Sequence, residues 1–576
     1  MKNFHFLLIG MLVSHLTYAG EVSHNLTAAK AYQHVQQMRQ EAGNIVRSGN
    51  ATVEANRKAA LHLKAALDFL DQETNLDFAN GNIYLQAKPL DLRLDIARLY
   101  LASNQKEKAI QALEGISESV WFPRLNEIIS KDKELSVLLP EPRIQKLLKI
   151  SDIPTQLYKS ADLASPYTDN ISTEEKVAGL SLFWARARDS FVHFDKVPNL
   201  QWDKVYLEYL SKVMATQTTA QYYRVLMQIA PLLKDGHTNI YPPEELYKDF
   251  YQRPPMRTRL IEDKVIVSAI SSPTIRSQIS VGDEIIAMDG MPVKEYAMKN
   301  IAPYVSSSTA QDFNLRTFSY QLLSGSDKQA LQFTMRSADG KEKEIQIARS
   351  GYTDIETSDT KNFKMLDGDI AYISVDHFEN KNSVKTFVDA FPQIKKAKGL
   401  IIDVRKNGGG SSSYGLQILS YLTTQALPSS NSYIRADNGY TLARSPAITW
   451  QVLDGKNSTE KNTNKNIYTG PVVVLTGAAT FSAAEDFVLS YQLLKRGLTI
   501  GEATGGSTGQ PLGFDLPGGG SARICVKRDT YPDGSDFVGK GLQVDIEVKP
   551  SISDIRNGID SVLNRALQEL KPKSLN

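Results

Sequence analysis

At 576 residues the chain is too long for a single hydrophobic core, so two to four domains are expected. With 41% hydrophobic and 23% charged residues the composition is that of a soluble globular protein, and 66 basic against 64 acidic residues give no basis for nucleic acid or an anionic membrane as partner. A single cysteine, Cys525, excludes a disulfide within the chain and rules out a cysteine-based metal site as an expectation from sequence.

Residues 1–19 read as an export signal. Lys2 supplies the positive start, residues 6–13 a short apolar run, and Thr17-Tyr18-Ala19 small residues at the cleavage positions. The run is too short for a permanent membrane anchor, so the mature chain is expected from Gly20, working in the periplasm or secreted. Residues 20–165 carry helical periodicity, clearest over 56–70 and 92–115. The two segments 92–101 and 104–113 are similar to one tetratricopeptide-type hairpin, and a lone repeat of that kind needs neighbours to bury its faces. Partner docking and a packing collar are the two roles open to this helical accessory domain.

A polar connector with Pro154 and Pro166 leads to a second helical block over 173–233, within the expected segment 166–250. It ends in Lys234-Asp235-Gly236-His237-Thr238, where an Asp-Gly turn stops the helix and a β-like run follows. His237 therefore stands on a junction that can face a cleft. Residues 251–350 change to short strands, at 265–270, 284–288 and 330–336. Within them Val281-Gly282-Asp283-Glu284-Ile285-Ile286-Ala287-Met288-Asp289-Gly290 resembles the late strand and turn of a PDZ domain, although that family's glycine-rich carboxylate-binding loop is not evident before Val265.

Residues 351–555 alternate strands (370–375, 399–404, 472–476, 498–500) with helical stretches, the pattern of an α/β layer, and a helix over 555–570 closes the chain. The fold class is accordingly multidomain α+β: a helical N-terminal domain, a PDZ-like β-rich module and an α/β core. Two segments of the core carry chemistry. Gly399-Leu400-Ile401-Ile402-Asp403-Val404-Arg405-Lys406-Asn407-Gly408-Gly409-Gly410 runs a strand into three glycines, which allow close backbone approach to a ligand. Val472-Val473-Val474-Leu475-Thr476 is a buried strand that turns through Gly477-Ala478-Ala479-Thr480-Phe481 into a helix at Ser482. Such a turn presents a serine hydroxyl beside free helix N–H groups. Taken alone, Ser482 with Glu485 three residues on is equally a helix cap.

Taken in order, Asp235-Gly236-His237-Thr238, Val281-Gly282-Asp283, residues 399–410, Thr480 to Glu485, Gly501-Glu502-Ala503-Thr504-Gly505-Gly506-Ser507 and residues 541–545 resemble peptidase family S41, the C-terminal-processing and tricorn-type serine peptidases. The resemblance spans roughly 173–549 and implies proteolysis of exported polypeptides without metal or cofactor. It makes Ser482 the nucleophile, with the N–H groups of Ala483 and Gly409 as oxyanion hole and Gly408 or Gly410 as alternates for the second. The tail-specific branch of the family uses a lysine base after G-E-x-T-x-G. Ser507 holds that position here, and no lysine stands between Lys495 and Lys527. The tricorn-like branch uses a histidine, matched by His237, with His377 as the rival within the core. In its best-known members a serine precedes the histidine and joins the relay, where this chain has Gly236. The branch's orienting glutamate falls on Val538, and strand alternation makes Asp536 the nearest acid on the same side, with Asp545 and Asp235 as alternatives. Glu485 reads as a cap or helix anchor rather than an acid catalyst. The competing class is a non-catalytic exported peptide-binding scaffold with a decayed site.

Overall fold

A computed structural model describes residues 28–72, 83–116, 125–153, 163–351, 355, 362–444, 447–454 and 459–571. The expected export signal lies outside them. The chain is a mixed helix-and-sheet structure with a helical N-terminal region and several sheets, as the sequence predicts. It divides into two compact units, Met1–Thr155 and Gln156–Asn576. Among the described residues no helix is long and apolar enough to cross a membrane.

In the first unit the helices Ala28–Ser48, Val53–Leu70, Lys88–Ala102, Lys106–Glu114 and Pro142–Ser151 share one core, with Val35, Ala59, Leu63, Leu92, Ala97 and Leu113 buried in it. Alanines at 59, 60, 66 and 97 let neighbouring helices approach closely. Asn104, in the left-handed conformation with φ 59°, turns the chain between Lys88–Ala102 and Lys106–Glu114.

The second unit is built on a six-stranded sheet in the order Ile546–Glu547, Leu498–Gly501, Val472–Thr476, Gly399–Asp403, Ile370–Ser374, Phe363–Leu366. The strands run parallel except the last pair. Val472–Thr476 is buried at every position, as a parallel strand covered on both faces must be. Strand alternation divides its side chains between two cores. Val472 and Val474, with Leu400 and Ile402, meet the helices Asn382–Ile394, Ser412–Leu419 and Ala483–Leu493, whereas Val473 and Leu475, with Ile401, meet Ser561–Leu570. Each such buried side chain contributes about 1.5–3 kcal/mol. The carboxyl ends of these parallel strands carry both the glycine turn and the Ser482 turn.

Three features depart from the sequence expectations. The closing helix is two helices, Ile552–Asn557 and Ser561–Leu570, broken at Gly558 with φ 65°. His193, which the run Phe191-Val192-His193-Phe194 places on an aromatic helical face in sequence, lies in the link after the helix Thr173–Ser190, buried in front of the short turn Phe194–Lys196. The hairpin Pro511–Leu516/Gly520–Cys525, not expected as strands, pairs antiparallel with Asn239–Tyr241 and so ties the His237 segment to the core. Residues 251–350 form an antiparallel sheet in the order Met256–Ile261, Lys264–Ile270, Glu284–Met288, Leu331–Arg336, Glu342–Ile347, with the helix Val293–Asn300 against it.

Arg405 couples the central sheet to the last helix. Its guanidinium reaches Asp403 at 2.6 Å and Asp560 at 2.8 Å, and Asp560 also caps Ser561–Leu570 by accepting from the Leu563 N–H at 3.0 Å. Asp560→Ala should therefore lower the unfolding free energy by about 0.5–2 kcal/mol. The urea midpoint measures this, and hydrogen exchange should quicken over 561–570 before the central strands.

Candidate active site

The link from strand Val472–Thr476 into helix Ala483–Leu493 places Ser482 at φ 58° and ψ −126°, a conformation that costs a non-glycine residue about 1–3 kcal/mol. Hydrogen bonds on both sides hold it there. The Phe481 N–H donates to Asn407 O at 3.0 Å, the Ser482 N–H to Ser507 O at 3.2 Å, and the Thr480 hydroxyl to Val404 O at 2.8 Å. Asn407, fully buried, also donates through its amide to Val375 O at 2.9 Å, so one side chain ties the glycine turn to the neighbouring strand.

Glu485 is the second anchor. Its carboxylate accepts from the Ser482 N–H at 3.2 Å, the Ser507 N–H at 2.8 Å, the Gly506 N–H at 2.8 Å and the Thr504 hydroxyl at 2.5 Å. Burial pushes its pKa up to about 7 against the downward pull of those four donors. It joins the start of helix Ala483–Leu493 to the loop after strand Leu498–Gly501, in keeping with an anchoring role.

Ser482 Oγ lies 3.0 Å from His237 Nε2, and His237 Nδ1 lies 2.9 Å from Ser507 Oγ. Ser507 in turn reaches Asp235 Oδ1 at 3.5 Å, and the Thr238 and Ser308 hydroxyls donate to the same buried carboxylate at 2.6 and 3.4 Å. If Nε2 accepts from the Ser482 hydroxyl, Nδ1–H donates to Ser507 and the Ser507 hydroxyl donates to Asp235; this tautomer follows from the network. Phe481 stacks on the imidazole with ring centroids 4.7 Å apart, and the Arg316 guanidinium lies 4.9 Å above the Phe481 ring. Burial holds the imidazole pKa down at about 4, against an upward pull from Asp235.

Of the expected site residues, Ser482 and His237 come together, and His377 does not meet either. Asp536 is elsewhere: its carboxylate is held by Arg528 at 3.0 and 3.1 Å and by Lys196 at 3.5 Å. Burial pushes its pKa up, but the two cations outweigh that and leave it below the ordinary value. The alternation argument fails because the chain turns at Val538, which is buried while Asp536 is half-exposed; the Lys540 and Gly541 N–H groups both fold back to Phe537 O. Asp545 binds the Thr499 N–H and hydroxyl and is occupied there. Gly236 has no room for the serine of the related branch, since a Cβ there would meet Phe481 at 2.9 Å and Asp312 Oδ2 at 3.2 Å. Ser507 supplies a hydroxyl to the imidazole from the position that holds the lysine in the other branch. The sequence carried that position but not its neighbour.

The expected oxyanion donors differ from one another. The Ala483 N–H, first in its helix, has no acceptor among the described residues. The Gly409 N–H instead donates to Asn407 Oδ1 at 2.9 Å, while the Gly410 N–H has no acceptor among them. Gly409 keeps the space open: at its φ of 100° a Cβ would lie 2.7 Å from Ser482 Cβ and 3.0 Å from the Ala483 nitrogen.

Residues 369–548 match the family model for peptidase family S41. The chloroplastic C-terminal processing peptidase of Tetradesmus obliquus is 24% identical over 296 residues, which cover 50% of this chain and 57% of that protein, so the chain spans little more than half the length of this curated relative. Among solved structures, mature CPAF is similar with a TM-score of 0.56 at 15% identity, over 69% of this chain and 98% of its own. Mature CPAF complexed with lactacystin is similar with a TM-score of 0.54 at 14% identity and the same coverage. At those identities the structural likeness bears on the fold. Over residues 369–548, which make up the α/β core, the chain is similar to peptidase family S41.

Glu485→Gln tests the anchor. An amide offers one acceptor oxygen to four donors and turns an NH₂ toward backbone N–H groups, so the variant should lose about 1–3 kcal/mol. Chemical denaturation reads the loss, and a stability equal to wild type would contradict the anchoring role.

Proposed function

We propose that the chain is an exported serine endopeptidase of the histidine-base, tricorn-like type. The observation that carries this reading is the 3.0 Å approach of Ser482 Oγ to His237 Nε2 beside a free helix N–H. His237 takes the Ser482 proton as Oγ bonds to the carbonyl carbon of a peptide. The oxyanion forms against the Ala483 N–H, with the second donor from the glycine turn, where the Gly410 N–H has no acceptor among the described residues. His237 then returns the proton to the leaving amine as the C–N bond breaks. Water, deprotonated by the same nitrogen, releases the acyl group as a carboxylic acid and restores Ser482. Ser507 and Asp235 orient the imidazole and stabilise the imidazolium, in the place intended above for Asp536.

The family match and the name of the algal relative support a polypeptide substrate. The five-strand antiparallel path with its helix Val293–Asn300 supports a PDZ-like module that takes extended peptide by strand addition. The export signal read from residues 1–19 supports action in the periplasm or outside the cell, with the N-terminal helical unit as the docking surface.

Hydrolysis of a peptide library by purified protein, with the new termini identified by mass spectrometry, tests the reading. Ser482→Ala and His237→Ala should each lower kcat on the order of 10⁶-fold while the fold is kept. Ser507→Ala leaves Nδ1–H without a partner, which at about 1–3 kcal/mol lowers kcat by roughly 10–10²-fold. Asp536→Asn and His377→Ala should stay at the wild-type rate. Full activity in Ser482→Ala would refute the reading, and a folded wild type that binds but does not cleave peptides would favour the scaffold.

A further inference from the structure

Behind the relay, three side chains with different donor atoms converge. Ligand atoms of His193, Asp235 and Cys525 all lie within 4.8 Å of one another, and all three residues are buried. His193 is 2% exposed, and neither of its ring nitrogens has a hydrogen-bond partner among the described residues. A buried polar group left unpaired in this way is costly, and it calls for a partner that the polypeptide does not supply. The Cys525 thiol donates only a weak S–H bond, to Lys527 O at 3.4 Å, with Thr508 O at 4.0 Å. Asp235, by contrast, is oriented by the Thr238 and Ser308 hydroxyls, as the carboxylate of a metal site commonly is.

We propose that His193, Asp235 and Cys525 form a binding site for a single thiophilic divalent cation of the Zn²⁺ type. An imidazole, a thiolate and a carboxylate make an N/S/O donor set that suits Zn²⁺ and its chemical neighbours, whereas Mg²⁺ and Ca²⁺ prefer oxygen alone. Bonds of about 2.0–2.3 Å put donor atoms roughly 3.3–3.8 Å apart, so binding draws the three together by about 1 Å. His193 can follow, because it stands on a link between helices rather than within one. The thiol proton is released as the Cys525–metal bond forms, and a neutral imidazole binds through a ring nitrogen lone pair without losing one. This corrects the expectation that one cysteine leaves no cysteine-based metal site, because a mixed site needs a single thiolate, joined here by His193 and Asp235.

The site shares a side chain with the relay. Asp235 faces Ser507, and through it His237. A cation on Asp235 withdraws its negative charge from the imidazolium that forms as Ser482 attacks, so occupancy lowers the rate of hydrolysis. This consequence rests on the catalytic reading above; the binding itself does not.

Full-length protein equilibrated with Co²⁺ under anaerobic, reductant-free conditions tests the site. The wild type should bind about one cobalt with thiolate-to-cobalt charge-transfer absorption, which Zn²⁺ displaces. Cys525→Ser should lose that absorption, and the near-isosteric His193→Gln should bind on the order of tenfold or more weakly. A folded wild type that shows no thiolate–cobalt band at saturating metal overturns the site without reference to any variant, and so does an unchanged band in Cys525→Ser. Zinc should slow peptide hydrolysis by the wild type more than by Cys525→Ser. If cobalt binds through Cys525 and zinc leaves the wild-type rate unchanged, the site stands and the relay through Asp235 is what fails.

Discussion

The positive φ of Ser482 is the constraint on which the site depends. A serine at this conformation stores about 1–3 kcal/mol and persists only where its surroundings over-determine it. Here they do so through two buried side chains. Asn407 accepts from Phe481 through its backbone and donates to Val375 through its amide, fixing the turn against two strands of the central sheet. Glu485 gathers four donors, three of them from the loop that carries Ser507. Ser482 and Ser507 are thereby positioned by one carboxylate, although they come from different crossovers of the sheet.

His237 enters this frame from outside the α/β core. Its segment is held by the antiparallel pairing of Asn239–Tyr241 with Gly520–Cys525 and by the bond from the Cys525 N–H to the Thr238 hydroxyl oxygen at 3.1 Å. Phe481 closes one face of the imidazole and occupies the space that a side chain at position 236 would need. Gly236 admits the Phe481 ring, and Ser507 is short enough to meet His237 Nδ1 at 2.9 Å.

Much of this was legible in the chain. Long β-branched runs mark the central strands because parallel strands are buried on both faces, and 472–476 has the bounds that its composition predicts. Ser482 and His237 stand where regular elements stop, but it is the family resemblance that singles them out as a pair. The structure brings Ser482 Oγ and His237 Nε2 to within 3.0 Å of one another. Asp536 misled because period-two alternation holds only while a strand continues, and the chain turns at Val538. Ser507 and Asp235 acquire their partners across 270 and 272 residues of chain, a proximity set by the sheet order and invisible to any local pattern. The hairpin over 511–525 was missed for a related reason: its glycines and prolines read as loop, and its pairing with Asn239–Tyr241 is a tertiary event.

The central claim is that Ser482 is activated by a buried, neutral histidine. The rate of covalent modification by a fluorophosphonate, followed against pH with the modified peptide mapped, addresses it most directly. Only the neutral imidazole can accept the serine proton, and burial places its pKa at about 4 rather than the ordinary 6.5. The account predicts modification at Ser482, with a rate that rises through about pH 4 and is level above it, and no modification in His237→Ala. Labelling at another residue would contradict it, as would a rate that rises only at alkaline pH, in the manner of a lysine base.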